Sequence, residues 1–377
     1  MRNIELLIKP ASYDCNLNCS YCFYKPVKEL YPQEKPRMGL FTLEALISKA
    51  LLYSGGGSAV FSWQGGEPLL LGLEYFEKII ELQKKHGKPG QKIGNSVQTN
   101  GLLLDKKWLN LFDEYKTFLG ISIDGDREMQ ECFRKGSYDG VMNAVKILKE
   151  TGTEFNVLTV VNSDNVKKPR ELYDFYLAND LRYVQLIPCA EVNNDGKLTL
   201  YSVKPVEYGE FLCKFFDLWY KNGEPELSVR YFDNLLELAA GMEPGFCGFK
   251  DKCNHYLVVE ANGDVYPCDF FVQKEWLLGN IKNDSFEELF DKAGKDFSPL
   301  KGKVSGKCAA CEWNFICKGG CLKYRETNRI TAQHETVQLP YSTPDYFCEA
   351  YKMFYKYSFD RIKKLAGRIN ADNLLRP

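Results

Sequence analysis

The sequence predicts an α/β fold: a partial (β/α)6 TIM-like barrel over residues 1–229, followed by a cysteine-rich domain over residues 230–377 that ends in a helix. Three observations carry this expectation. Six short apolar, β-branched runs alternate with segments of helical periodicity. A cysteine triplet, Cys15, Cys19 and Cys22, follows the first run, and eight more cysteines crowd the last third of the chain.

In chain order, the expected strand over Glu5–Lys9 leads to a helix over Thr42–Tyr53, and Ala59–Trp63 leads to Leu73–Lys85. Lys92–Gln98 precedes Lys106–Tyr115, and Phe118–Ile123 precedes Val141–Thr151. Glu154–Val161 precedes Lys168–Asn179, and Arg182–Ile187 precedes Val206–Lys221. Such alternation builds a parallel sheet from βα units. Six units are too few to close an eight-stranded barrel, so an open one is expected, with its chemistry at the carboxyl ends of the strands.

The bulk composition narrows the classes further. Lys and Arg number 49 against 50 Asp and Glu, giving a net charge of -1 with no long run of like charge. No nucleic-acid partner is expected. The start of the chain lacks the apolar core and cleavage site of a signal peptide, and no apolar stretch reaches the roughly 20 residues needed to span a bilayer. No membrane association and a cytoplasmic location are therefore expected. In a reducing compartment, 14 cysteines are better candidates for metal ligands than for disulfides.

The triplet Cys15-Asn-Leu-Asn-Cys19-Ser-Tyr-Cys22-Phe-Tyr24 lies in the loop after the first strand. Three thiolates leave one iron of a 4Fe-4S cluster open to a cofactor or substrate. Gln64-Gly65-Gly66-Glu67-Pro68 stands at the end of the second strand, where glycines let the backbone approach a ligand. Together these segments resemble the signatures of the radical S-adenosylmethionine (SAM) superfamily. The resemblance implies that the open iron holds the amino and carboxylate groups of SAM, and that reduction of the cluster splits SAM to a 5'-deoxyadenosyl radical. It also places Tyr21, Gly66, Ser122, Arg134 and the backbone of Ala190 at positions that contact SAM, with Arg134 facing the carboxylate.

In the last third, Cys253 and Cys268 flank His255–Ala261 and Asp264–Pro267, which read as a hairpin with a type I′ turn at Asn262-Gly263. Cys308, Cys311, Cys317, Cys321 and Cys348 follow, and with Cys247 make eight thiols. Alone, that pattern would also suit a pair of four-cysteine zinc sites. Behind a radical SAM core it resembles the SPASM domain. This implies two auxiliary 4Fe-4S clusters, one on Cys247, Cys253, Cys268 and Cys321 and one on Cys308, Cys311, Cys317 and Cys348, or three clusters in all. Cys132, Cys189 and Cys213 read as buried free thiols. The histidines His86, His255 and His334 form no spaced cluster.

Further stretches resemble the anaerobic sulfatase-maturating enzymes: Leu7-Ile-Lys9-Pro10-Ala11-Ser12, Gln98-Thr99-Asn100-Gly101, Arg230-Tyr231-Phe232-Asp233 and Tyr266-Pro267-Cys268-Asp269-Phe270. The resemblance implies oxidation of a Cys or Ser in an unfolded or nascent sulfatase peptide, within a Cys/Ser-x-Pro-x-Arg type motif, to Cα-formylglycine. It gives Asp269 the part of general base, an auxiliary cluster the part of electron acceptor, and a flavodoxin or ferredoxin the part of reductant. Tyr24 and Gln64 are expected to help position the peptide. Two alternatives stay open: a maturase of a ribosomally made peptide, against which stands the absence of room for a recognition domain before Ile4, and a non-enzymatic zinc or iron-sulfur module.

Overall fold

The computed structural model describes residues 1–331 and 341–374; His334 lies outside them. Its strands are β1 (Ile4–Lys9), β2 (Ala59–Trp63), β3 (Ile93–Thr99), β4 (Phe118–Ser122), β5 (Phe155–Val161), β6 (Tyr183–Pro188), β7 (Ser228–Val229), β8 (Leu257–Glu260), β9 (Asp264–Tyr266) and β10 (Gly279–Asn280). The expected strands are β1 to β6, each displaced by no more than a residue at either end. Their helices lie at Leu40–Ser54, Leu73–His86, Lys106–Glu114, Tyr138–Thr151, Pro169–Ala178 and Pro205–Tyr220. Asp105 caps the third by accepting from the N–H groups of Lys107 and Trp108, and Pro169 and Pro205 open the last two, where a missing N–H costs nothing. The α/β expectation holds. Among the described residues no helix is long and apolar enough to cross a membrane.

The chain gathers into two compact units, each assembled from separated stretches. The first holds Met1–Ser122, Arg134–Phe155 and Cys253–Pro299. Its strands run β10-β9-β8-β1-β2-β3-β4. Strands β1 to β4 are parallel, β8 joins β1 in parallel register, and β9 and β10 turn back antiparallel. Ile4, Leu6 and Ile8 of β1 are buried on one face, while Leu7 packs on the other with Tyr24, Val258 and Tyr266.

The β8–β9 connection differs from the expected two-residue turn. It has three residues, Ala261 to Gly263. Gly263 N donates to Glu260 O at 2.9 Å, and Gly263 alone in this loop takes a positive φ, 94°. Asn262 instead uses its side chain locally, its Oδ1 accepting from Asp264 N at 3.0 Å. That Asx-type bond favours the longer loop with glycine in the left-handed position.

The second unit holds Ile123–Phe133, Asn156–Lys252 and Leu300–Pro377, and its strands β5, β6 and β7 are parallel. Its long last helix, Cys348–Leu374, packs on Pro205–Tyr220 and on the helix Arg230–Ala239. Aromatic rings fill that seam: Phe354 lies 5.3 Å from Phe232 and 5.7 Å from Phe216.

Candidate active site

In the first unit β1 leads directly into the loop of the cysteine triplet. Backbone bonds fold this loop on itself, Asp14 N donating to Ala11 O at 2.8 Å and Cys22 N to Cys19 O at 3.3 Å. Cys19 is buried, and Cys15 and Cys22 are half-buried. Leu17 N donates to Cys15 Sγ at 3.4 Å, and Asn100 Nδ2, from the end of β3, approaches the same sulfur at 3.8 Å. Burial pushes the Cys15 thiol up to about 11; the Leu17 N–H opposes this, while Glu67, Cys19 and Cys22 add to it. Neighbouring thiolates that repel one another are a donor set whose charge an iron cluster neutralises. The loop fits such a group.

The turn after β2 lies against this loop. At Gly66, φ is 50°, and a Cβ would stand 2.1 Å from Asp14 O. At Gly65 a Cβ would stand 2.4 Å from Lys9 Cδ. Neither position admits a side chain. Glu67 turns inward, fully buried, and accepts from Leu69 N at 3.0 Å, Thr99 Oγ1 at 2.8 Å and Asn100 N at 2.8 Å. Burial pushes its carboxyl up to about 7 against the pull of these bonds. Glu67 thus anchors the turn to the end of β3.

The predicted SAM contacts fall into two groups. Arg134 Nη1 lies 3.8 Å from Cys19 Sγ, and its guanidinium stands 5.3 Å from the centre of the Tyr21 ring, so these two residues meet beside the triplet. Ser122 ends β4 and accepts from Gln98 Nε2 at 3.0 Å. Ala190 belongs to the second unit, where its carbonyl accepts from Thr327 Oγ1 at 3.4 Å.

Asp269 follows Cys268 directly, just beyond the β8–β9 hairpin. Its Oδ1 accepts from Tyr256 OH at 3.2 Å, and its Oδ2 lies 3.7 Å from Lys9 Nζ. The parallel register of β1 with β8 sets Lys9 opposite Glu260. Lys9 is fully buried, its Nζ makes no hydrogen bond, and it stands 4.4 Å over the Tyr24 ring. Burial lowers the Lys9 pKa, while Asp269 and Glu260 work to raise it. Tyr24 is itself buried and its hydroxyl donates to Glu260 Oε1. Lys9, Glu260, Glu67 and Asn100 were not marked as site residues by the sequence. For Lys9 and Glu260 the available signal was a charge closing an apolar strand, which reads equally as a strand end.

Among the described residues no three His, Cys, Asp or Glu side chains close on one point as a mononuclear metal site requires. The remaining thiols are grouped more loosely. In the second unit, burial pushes Cys317 up to about 12, and Asp345, Cys348 and Cys308 add to the rise. Lys352 feels both Cys348 and Cys311, so Cys308, Cys311, Cys317 and Cys348 share one neighbourhood. Asp345 ties the loops together: Cys321 N donates to its Oδ2 at 2.8 Å and Cys348 N to its backbone O at 2.9 Å. Arg325, fully buried, donates to the carbonyls of Lys318 and Gly319 just after Cys317 and to those of Lys301 and Lys303 before Cys308. Cys247 sits in the same unit, its carbonyl 3.4 Å from Lys301 Nζ. Cys253 and Cys268 belong to the first unit.

Residues 10–176 match the model of the radical SAM superfamily, and residues 247–312 match that of the SPASM iron-sulfur cluster-binding domain. The chain is 38% identical to a cysteine-type anaerobic sulfatase-maturating enzyme of Clostridium perfringens, over 98% of this chain and 100% of that one. It is 33% identical to a serine-type enzyme of Bacteroides thetaiotaomicron, over 94% of this chain and 89% of the other. The solved structure of anSMEcpe with bound AdoMet and Cp18Cys peptide superimposes with a TM-score of 0.87 at 37% identity, covering 97% of this chain and 99% of that one. The loop of three cysteines, the glycine turn fitted against it and the cysteine-rich last third are thus those of a known lineage, and the chain belongs to the anaerobic sulfatase-maturating enzymes, radical SAM enzymes with a SPASM domain.

Proposed function

We propose that this enzyme oxidises a Cys or Ser in a Cys/Ser-x-Pro-x-Arg type segment of an unfolded sulfatase to Cα-formylglycine, with Asp269 as the general base. Cys15, Cys19 and Cys22 would hold the SAM-binding 4Fe-4S cluster, and Tyr21, Gly66, Ser122, Arg134 and the Ala190 backbone would contact SAM. Cys247, Cys253, Cys268 and Cys321 would hold one auxiliary cluster, and Cys308, Cys311, Cys317 and Cys348 the other. A flavodoxin or ferredoxin is the proposed electron donor.

Bound SAM and the clusters would supply acceptors for one hydrogen atom from the target Cβ and for one electron. The protein's own task is the remaining proton, carried by the thiol or hydroxyl. Removing a hydrogen atom, a proton and an electron leaves a C=S or C=O bond; water then converts the thioaldehyde to the aldehyde with release of hydrogen sulfide. The observation that carries the reading is the Asp269 carboxylate, only 13% exposed, held between Tyr256 and Lys9 in the unit that also contains the cysteine triplet. A carboxylate so shielded from water is suited to proton acceptance at one fixed point.

The test is anaerobic incubation of the reconstituted enzyme with SAM, reductant and a short peptide carrying either motif, read by mass spectrometry. Aldehyde at the Cys or Ser with release of 5'-deoxyadenosine is expected. Asp269→Asn is expected to lose about 100-fold or more in formylglycine formation while keeping its iron. Undiminished product from that variant would remove Asp269 from the role.

A further inference from the structure

One fully buried charge stands beside Asp269. Lys9 closes β1, and the charged end of its side chain makes no hydrogen bond. A buried ammonium without a hydrogen-bond acceptor is costly, and a nearby opposite charge is what offsets that cost. Its surroundings are specific. The Asp269 carboxylate lies 3.7 Å from Nζ, too far for a hydrogen bond and close enough for a strong charge interaction out of water. The face of Tyr24 lies 4.4 Å away on another side. Glu260, opposite Lys9 in the β1–β8 register, accepts from the Tyr24 hydroxyl and the Ala261 N–H and adds its charge to that of Asp269. The stem is fixed as well, because Gly65 leaves room for Lys9 Cδ where any Cβ would stand 2.4 Å from it. Stem, ring and carboxylate therefore define where the ammonium sits.

We propose that Lys9 is the positioning residue for the general base: its buried ammonium holds the Asp269 carboxylate in place by charge, leaving the carboxylate oxygens free of a hydrogen bond from lysine. This rests on the assignment of Asp269 as the base. A hydrogen bond from lysine would occupy an oxygen that must receive the substrate proton, whereas attraction across 3.7 Å orients the group without occupying it. Lys9 touches neither substrate nor proton in this account.

The test is Lys9→Met, which keeps the stem beneath Gly65 and removes the charge, studied as the reconstituted holoenzyme beside Asp269→Asn and the double variant. Lys9→Met is expected to form formylglycine about 10- to 100-fold more slowly, with peptide KM within about twofold of wild type and with more 5'-deoxyadenosine released per aldehyde formed. The double variant should be no slower than Asp269→Asn alone, since a residue that acts only through Asp269 has nothing further to lose. Iron content should match wild type, which separates a lost charge from a lost fold. Losses that multiply in the double variant, an equal fall in 5'-deoxyadenosine and aldehyde, or a rate within about twofold of wild type would each overturn the proposal. A crystal structure of Lys9→Met reads it without turnover: the Asp269 carboxylate must leave its place beside position 9, and an unmoved carboxylate overturns the proposal. Wild-type enzyme that releases 5'-deoxyadenosine without making aldehyde would count against the substrate assignment alone, and the structure would still decide for or against Lys9.

Discussion

Glu67 shows how much a single buried carboxyl can impose on the protein. Its partners are two backbone N–H groups and one hydroxyl, and burial outweighs them, raising the pKa from 4.5 to about 7. Between those values the folded protein keeps a proton that the unfolded chain has released. The stabilising effect is therefore complete below about pH 4.5 and is lost as pH rises through about 7, a change on the order of 3 kcal/mol. Urea unfolding of wild type should give a stability roughly 1 kcal/mol lower at about pH 8 than at about pH 6 from this group alone. Glu67→Gln should lose that share of the difference; an unchanged pH slope would place the proton elsewhere. The cysteines drew attention by their spacing, and Asp269 by the resemblance of the segment Tyr266–Phe270. Lys9 and Glu260 carry no such mark, since the two charges ending apolar runs come into register only once β8 lies beside β1, and no local pattern encodes that strand pairing.

Among the elements, all of the barrel strands and helices expected from periodicity are present, because each buries an apolar face that its own sequence marks. The short helices Val27–Leu30 and Arg127–Phe133 were missed, being too brief to show a period. The hairpin was found but its turn was misread, since Asn262 had a side-chain bond to Asp264 N available that a dipeptide rule ignores. The observed loop makes a prediction of its own. Gly263 has φ 94°, and a Cβ there would lie 2.9 Å from Asn280 Oδ1 and 3.1 Å from Ile281 Cγ1. Gly263→Ala should lower stability by about 1–3 kcal/mol in urea titrations, whereas Ala at Gly90, which has no neighbour within 4 Å of the added carbon, should cost less. Equal costs at the two sites would mean that backbone strain alone decides.

For the whole molecule, the division expected at residue 229 sits beside a more interleaved arrangement, since Cys253–Pro299 is grouped with the N-terminal strands and Leu300–Pro377 with β5 to β7. Sequence order could not reveal this, because the contacts responsible join residues far apart. Within the second unit, buried Arg325 gathers carbonyls from the stretches on either side of Cys308 and Cys317. Arg325→Met should cost roughly 3 kcal/mol or more and should deplete iron from the auxiliary clusters while the SAM-dependent cluster keeps its reduced-state electron paramagnetic resonance signal. Uniform iron loss would contradict that confinement.

The pairing of β8 with β1 also sets a schedule. Lys9 leaves the ribosome early, and the strand that covers its edge follows roughly 250 residues later, a delay on the order of 10–50 s at typical rates of synthesis. Throughout that interval the nascent chain carries an unpaired parallel edge, a template for mispairing that a chaperone or neighbouring segment must shield. The same delay keeps the Lys9 ammonium and the Asp269 carboxylate apart until translation has passed residue 269, so the two meet only on a chain that is mostly made.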